Sequence, residues 1–227
     1  MTQSYVVGVD TGHTGTLREA DHLLRALAVE LDLHEDVLGC THHVRDGRRP
    51  HTALSFALPS ERAARAAWLR LTGTESGTGA GAGVGVGVGV GTVEGGPLGA
   101  GPDAGPGVVL GVAFGGERHG PDDLAAGAAH AAAEHTARTG GRAVLYPGAE
   151  ALTGTVTVTR LLEVSAVDRI AVLGAPEGVP TERQLVTRDH VRPEWRDGRL
   201  VLAAMPAAGG TLVPFEVSDP TPCCADH

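Results

Sequence analysis

The chain contains neither lysine nor asparagine, and all 18 of its basic residues are arginine. That absence excludes a lysine Schiff base, the lysine of a phosphate-binding loop and Asn-linked glycosylation. Aromatic residues are only 3% of the 227, too few for a broad platform on which nucleic-acid bases stack. Three cysteines, Cys40, Cys223 and Cys224, do not make the disulfide framework of a secreted domain and point instead to reduced thiols or metal ligands. The longest stretch poor in polar residues, around Ala80 to Val93, alternates with glycine and falls short of the roughly 20 residues that span a bilayer. The opening MTQSYVVGVD lacks a basic segment and a long apolar core, so it does not read as a signal peptide, and the expected location is cytoplasmic, with no membrane partner. The signatures G-x-S-x-G, G-K-[ST], C-x-x-C and H-E-x-x-H are all missing, which leaves the hydrolase and redox families known by them without support.

What is present begins with charge. Against 18 arginines stand 27 Asp and Glu, giving a net charge of −9. An acidic balance argues against a nucleic-acid partner, because such affinity comes mainly from cations neutralising phosphates. The 42% hydrophobic content is that of an ordinary globular chain able to bury a core.

Glycine divides the chain. Of 34 glycines, 15 fall between Gly73 and Gly107, and a segment with so little side chain to bury and so much backbone entropy to lose reads as a flexible tether. The expected organisation is a βαββα half over 1–72, a Gly/Val-rich linker or insertion over 73–107, a mixed half over 108–217 ending in a β-meander, and a Cys/His tail over 218–227.

Within the first half, Tyr5–Val9 is a β-branched run. Thr16 and Glu19 have the spacing of a capping box, ahead of Leu17, Ala20, Leu24, Leu27, Ala28 and Leu31 at helical intervals. Residues 40–45 and 51–58 flank the turn signal Asp46-Gly47 and predict a hairpin; Ser60 then caps a helix over 61–71. With Val108–Phe114 as a further strand, the order predicts an α+β protein whose N-terminal half is a ferredoxin-like split βαβ unit carrying the Gly-rich stretch as an insertion. Beyond it, Pro121–Thr139 predicts an Ala-rich helix ending at Gly140-Gly141. Strands are expected near 143–146 and 170–173, a short helix near 159–164, and a meander over 185–191, 200–205 and 211–217.

Two groups of residues carry candidate chemistry. Cys40, His42, Cys223, Cys224 and His227 combine thiol and imidazole donors suited to Zn²⁺ or Cu(I), and strand alternation places Cys40 and His42 on one face. The turn from Asp10 to Thr16 precedes a helix N-terminus, where free N–H groups attract anions. Asp10, Gly12, His13, Thr14, Gly15 and Thr16 there resemble the D-x-x-H-x-G-H signature of nucleotidylyltransferases, with Thr16 where that family has its second histidine. The resemblance implies that His13 stabilises a nucleotide phosphate. Gly8, Asp10, Gly12 and Thr14 are also similar to the G-x-D-x-G-x-T phosphate turn of actin-like ATPases, without the hairpin that should follow. In the Ala-rich helix, His130 and Glu134 form an i,i+4 polar pair, and His135 points about 100° away from Glu134.

The leading expectation is a non-catalytic transition-metal-binding or thiol-based sensor protein whose partner is a metal ion or small molecule. The competing expectation is an enzyme acting on a nucleotide or phosphorylated molecule at the Asp10–Thr16 turn, and the third is a structural or interaction module.

Overall fold

A computed structural model describes residues 5–34, 37–45, 50–73, 109–175 and 179–218. The Gly-rich stretch, the Asp46-Gly47 turn and the tail cysteines lie outside the described residues. The elements run β1 (Tyr5–Asp10), α1 (Leu17–Glu30), β2 (Leu38–Val44), β3 (His51–Leu58), α2 (Glu61–Thr72), β4 (Gly111–Phe114), β5 (Glu117–His119), α3 (Asp122–Ala137), β6 (Arg142–Leu145), β7 (Thr155–Thr157), α4 (Val158–Val164), β8 (Arg169–Val172), β9 (Gln184–Val186), β10 (Glu194–Arg196), β11 (Arg199–Pro206) and β12 (Leu212–Pro214). The protein is therefore α+β, with helices on a single mixed sheet in the order β5-β4-β1-β3-β2-β6-β10-β11-β12-β9-β7, and β8 joined to β11.

Local signals start the helices. Thr16 Oγ1 accepts from Glu19 N at 3.2 Å while Glu19 Oε2 accepts from Thr16 N at 3.1 Å, which satisfies otherwise orphaned donors at the start of α1. Ser60 Oγ accepts from Ala63 N at 3.1 Å to start α2, and Gly73, at φ 67°, ends it. The Ala-rich α3 stops at Arg138 (φ 55°), two residues ahead of the expected glycines.

Strands β4, β1, β3 and β2 pair antiparallel throughout. Their alternation gives them two unlike faces. Val7, Val9, Leu54, Phe56, Leu58, Val112 and Phe114 pack against Leu24 and Leu27 of α1 and Trp68 and Leu71 of α2. The other face carries Gly8, Asp10, Ala53, Ser55, Cys40, His42 and Gly111, mostly small residues, and α3 lies directly on it. A Cβ on Gly8 would fall 1.9 Å from the Ala128 carbonyl oxygen, and one on Gly111 would fall 2.1 Å from the Leu124 carbonyl carbon. Two glycines on the strands and the buried alanines 125, 128 and 131 on the helix thus let backbone meet backbone.

A second core gathers Tyr146, Leu152, Leu161, Ile170, Leu185, Trp195, Leu200, Leu202 and Leu212 around the later strands. The two cores share the sheet because β6 pairs with β2, with a bulge between Gly39 and Cys40. The meander is β10-β11-β12. Its first strand is Glu194–Arg196 rather than 185–191, because Arg188 and Asp189 take φ values of 56° and 52° and turn the chain. The short β9 pairs in parallel with β12 instead. The turns at Asp197-Gly198 and Gly209-Gly210 use left-handed backbone at both residues, as the two-residue connection between β10 and β11 requires.

Candidate metal centre

Strand alternation brings Cys40 and His42 to the face of β2 that α3 covers. Ser55 stands opposite Cys40 and Ala53 opposite His42 in the β2–β3 register. From above, α3 delivers His135, which continues the buried stripe of Ala128 and Ala131 at spacings of three and four. Cys40, His42 and His135 are all buried, and one donor atom from each lies within 4.8 Å of the other two. The backbone of Gly141, at φ 110°, passes so near that a Cβ there would sit 2.5 Å from His42 Cε1.

Hydrogen bonds fix the rings. Glu134 Oε2 lies 2.9 Å from His42 Nδ1, and Ser55 Oγ lies 2.8 Å from His42 Nε2 and 2.7 Å from His135 Nδ1. With the carboxylate accepting from Nδ1–H, neutral His42 has a lone pair on Nε2. The Ser55 hydroxyl donates its one proton there and accepts from His135 Nδ1–H; these roles follow from satisfying every group. Burial pushes both imidazoles toward the neutral form, lowering His135 to about 3, with the neighbouring His42 and Arg138 adding to the effect. For His42, burial outweighs the opposing pull of Glu134. Burial raises the Cys40 thiol well above its ordinary value against a small opposing effect of Arg142, so the proton stays on sulfur until something displaces it.

Glu134, His42 and Ser55 are connected as the acid, base and nucleophile of acyl-transfer enzymes are. Ser55, however, is completely buried beneath α3. Cys40, His42 and His135 form a group that could hold a metal ion. Two imidazoles and a thiol are donor types that suit Zn²⁺ or copper, and Glu134 stands behind His42 as carboxylates stand behind metal-binding histidines. Beside the cluster, the buried indole Nε1 of Trp195 lacks a partner among the described residues, and the His135 and Trp195 rings are 6.3 Å apart.

Of the residues singled out from sequence, Cys40 and His42 come together here, while Cys223, Cys224 and His227 lie outside the described residues. The Asp10–Thr16 turn is arranged differently. Asp10 is buried, accepts from Gly12 N at 2.8 Å and meets His51 Nε2 at 2.8 Å. Gly15 N and Thr16 N both point to Glu19 Oε2. Thr14 is buried and clasps β3, its hydroxyl donating to the Thr52 carbonyl oxygen and its own carbonyl accepting from Thr52 N. His13 is exposed. The amides at Gly12, Gly15 and Thr16 that would meet a phosphate already face carboxylates of the chain itself.

Sequence reasoning passed over Ser55, Glu134 and His135 as site residues. The signal for His135 was its place on the alanine stripe of α3, a position that is buried once the helix lies on a sheet. No protein-family model, curated protein or solved structure matches the chain.

Proposed function

We propose that this protein binds one transition-metal ion through Cys40 Sγ, His42 Nε2 and His135, as a metal-binding or metal-sensing protein without turnover. The observation that carries this reading is the convergence of three buried donors within 4.8 Å, one of them backed by the Glu134 carboxylate at 2.9 Å. Bonds of about 2.0 Å to nitrogen and 2.3 Å to sulfur draw the donors inward on binding. Coordination by Cys40 Sγ and His42 Nε2 would release the thiol proton and replace the hydrogen bond that the Ser55 hydroxyl donates to His42 Nε2. A Cys–His–His set suits copper in trigonal geometry, or Zn²⁺ with a fourth donor.

The same proposal takes β4-β1-β3-β2 as a ferredoxin-like split βαβ unit, supported by its strand order and the two helices on one face. A cytoplasmic setting, where Cys40 stays reduced, accompanies it. No helix among the described residues is long and apolar enough to cross a membrane. The net charge of −9 argues against nucleic acid as partner.

The experiment is elemental analysis of protein purified without chelator and reconstituted with Zn²⁺ or Cu(I), with Cys40→Ala and His135→Ala beside it. Bound ion lost in both variants supports the site. A chain ending at Thr221 tests Cys223, Cys224 and His227: retained ion assigns the site to the buried three, and lost ion adds the tail as donor.

A further inference from the structure

A second polar feature is separate from Cys40, His42 and His135. A groove of about 850 Å³ runs between α1 and the strands β10 to β12, with Asp21, Arg25, Arg192 and Phe215 in its walls. Its charges do not cancel locally. Asp21 accepts from Arg142 Nη1 at 2.5 Å, Arg142 Nη2 at 3.3 Å and Arg192 Nε at 3.0 Å. Arg25 Nη1 stands 3.9 Å from the same carboxylate. Glu216 accepts from Arg142 Nε at 2.6 Å and Nη2 at 2.5 Å, and meets His190 Nε2 at 2.8 Å. Two carboxylates are therefore shared by three guanidiniums and an imidazole.

The site is built rather than superficial. The side chains of Asp21 and Arg142 are 7% and 8% exposed and that of Arg192 is 10% exposed, while Arg25 reaches outward at 43%. Arg192 spends Nε on Asp21 and Nη1 on the Val191 carbonyl; its Nη2 donates to nothing among the described residues. Arg25 meets only Asp21 there, through Nη1. The basicity of Arg25 is lowered by burial and then by the charge of Arg192, as expected where positive charge is in excess. Phe215, 55% exposed, adds an aromatic ring to a wall that also holds Leu202, Pro214 and Val217. An anion-seeking, partly apolar groove stands out in a chain with net charge −9.

We propose that this groove binds a small phosphate monoester, its phosphoryl oxygens on Arg25 and Arg192 and its organic part against Phe215. Guanidinium forks match phosphate oxygens two at a time, and the negative charge of a phosphate answers the one guanidinium in excess that Asp21 and Glu216 leave. The apolar wall gives an ester an advantage over inorganic phosphate. This site is independent of the metal reading and stands or falls without it.

The test is calorimetric titration of the full chain in phosphate-free buffer with adenosine 5′-monophosphate, inorganic phosphate and adenosine. The expected result is saturable binding of the monophosphate at one per chain, at least about tenfold weaker binding of inorganic phosphate, and no binding of adenosine. Arg25→Gln and Arg192→Gln each weaken the monophosphate by about tenfold or more, Phe215→Ala brings it down to the affinity of inorganic phosphate, and Arg65→Gln on α2 changes nothing. Arg25→Gln, at the more exposed side chain, keeps the test valid where Arg192→Gln disturbs folding. No binding of either phosphate at millimolar concentration, or unchanged binding in folded Arg25→Gln, overturns the proposal.

Discussion

The carboxylate of Glu134 and the imidazole of His42 meet at 2.9 Å through Nδ1, the ring nitrogen opposite the one that faces Ser55. Glu134 comes from α3 and His42 from β2, so the contact depends on the helix lying flat on the small face of the sheet. It fixes which nitrogen of His42 carries the proton and which offers a lone pair. Replacing Glu134 by glutamine keeps the shape and removes the charge. The expected outcome is metal affinity about 10- to 100-fold lower with unchanged circular dichroism, read by competition with a chromophoric chelator. Unchanged affinity would remove Glu134 from the site.

Gly141 should tolerate no side chain. Its φ of 110° is unfavourable to any L-residue, and a Cβ would lie 2.5 Å from His42 Cε1. Gly141→Ala is expected to cost about 2 kcal/mol or more in urea denaturation and to weaken metal binding by displacing the ring. A variant as stable as the parent would show that the chain does not pass over His42 as described.

Gly8 tests the packing of α3. A methyl group there would stand 1.9 Å from the Ala128 carbonyl oxygen, and neither backbone can yield without parting helix from strand. Gly8→Ala should destabilise the protein by about 3 kcal/mol or more. Gly115→Ala, where a Cβ meets nothing within 4 Å but φ is 56°, serves as a control for backbone strain alone and should cost only about 1 kcal/mol. Equal losses in the two variants would contradict the close approach.

Stability should fall in acid through the Asp21–Arg142–Glu216 cluster. Burial raises the Asp21 carboxyl, but Arg142 and Arg192 together outweigh it and hold the group below its ordinary 3.8; Arg142 and His190 likewise hold Glu216 below 4.5. As pH falls through about 4.5 the unfolded chain takes up protons that the folded chain still refuses. This contribution is complete above that range and disappears as pH drops through the lowered folded values. Urea unfolding at pH 7 and pH 3.5 should show the loss. Arg142→Met should flatten this dependence and lower stability at pH 7 by about 3 kcal/mol or more, since it strands two partly buried carboxylates.

Much of the N-terminal half was legible because its signals are local: the Thr16/Glu19 capping box, the Ser60 cap and the alternation of Leu54, Phe56 and Leu58 all act within a few residues. Cys40 and His42 were legible as a same-face pair for the same reason. His135 was not, because the side that an Ala-rich helix buries is not known until its partner is, and that face is set by Gly8 and Gly111, which lie well over 100 and more than 20 residues before His135 in sequence. The strand expected over 185–191 is cut short to Gln184–Val186 because Arg188 and Asp189 adopt left-handed backbone. The Asp10–Thr16 turn has the look of a phosphate loop in sequence since carboxylates that fill its amides, such as Glu19, serve equally well as helix caps.

The central claim is tested most directly by the metal content of the intact chain and of the double variant Cys40→Ala/His135→Ala, each loaded with Zn²⁺ or Cu(I) under reducing conditions and desalted. The account predicts close to one tightly held ion per parent chain and none in a folded double variant. A parent chain that emerges free of metal after loading, or a double variant that retains as much as the parent, would contradict it.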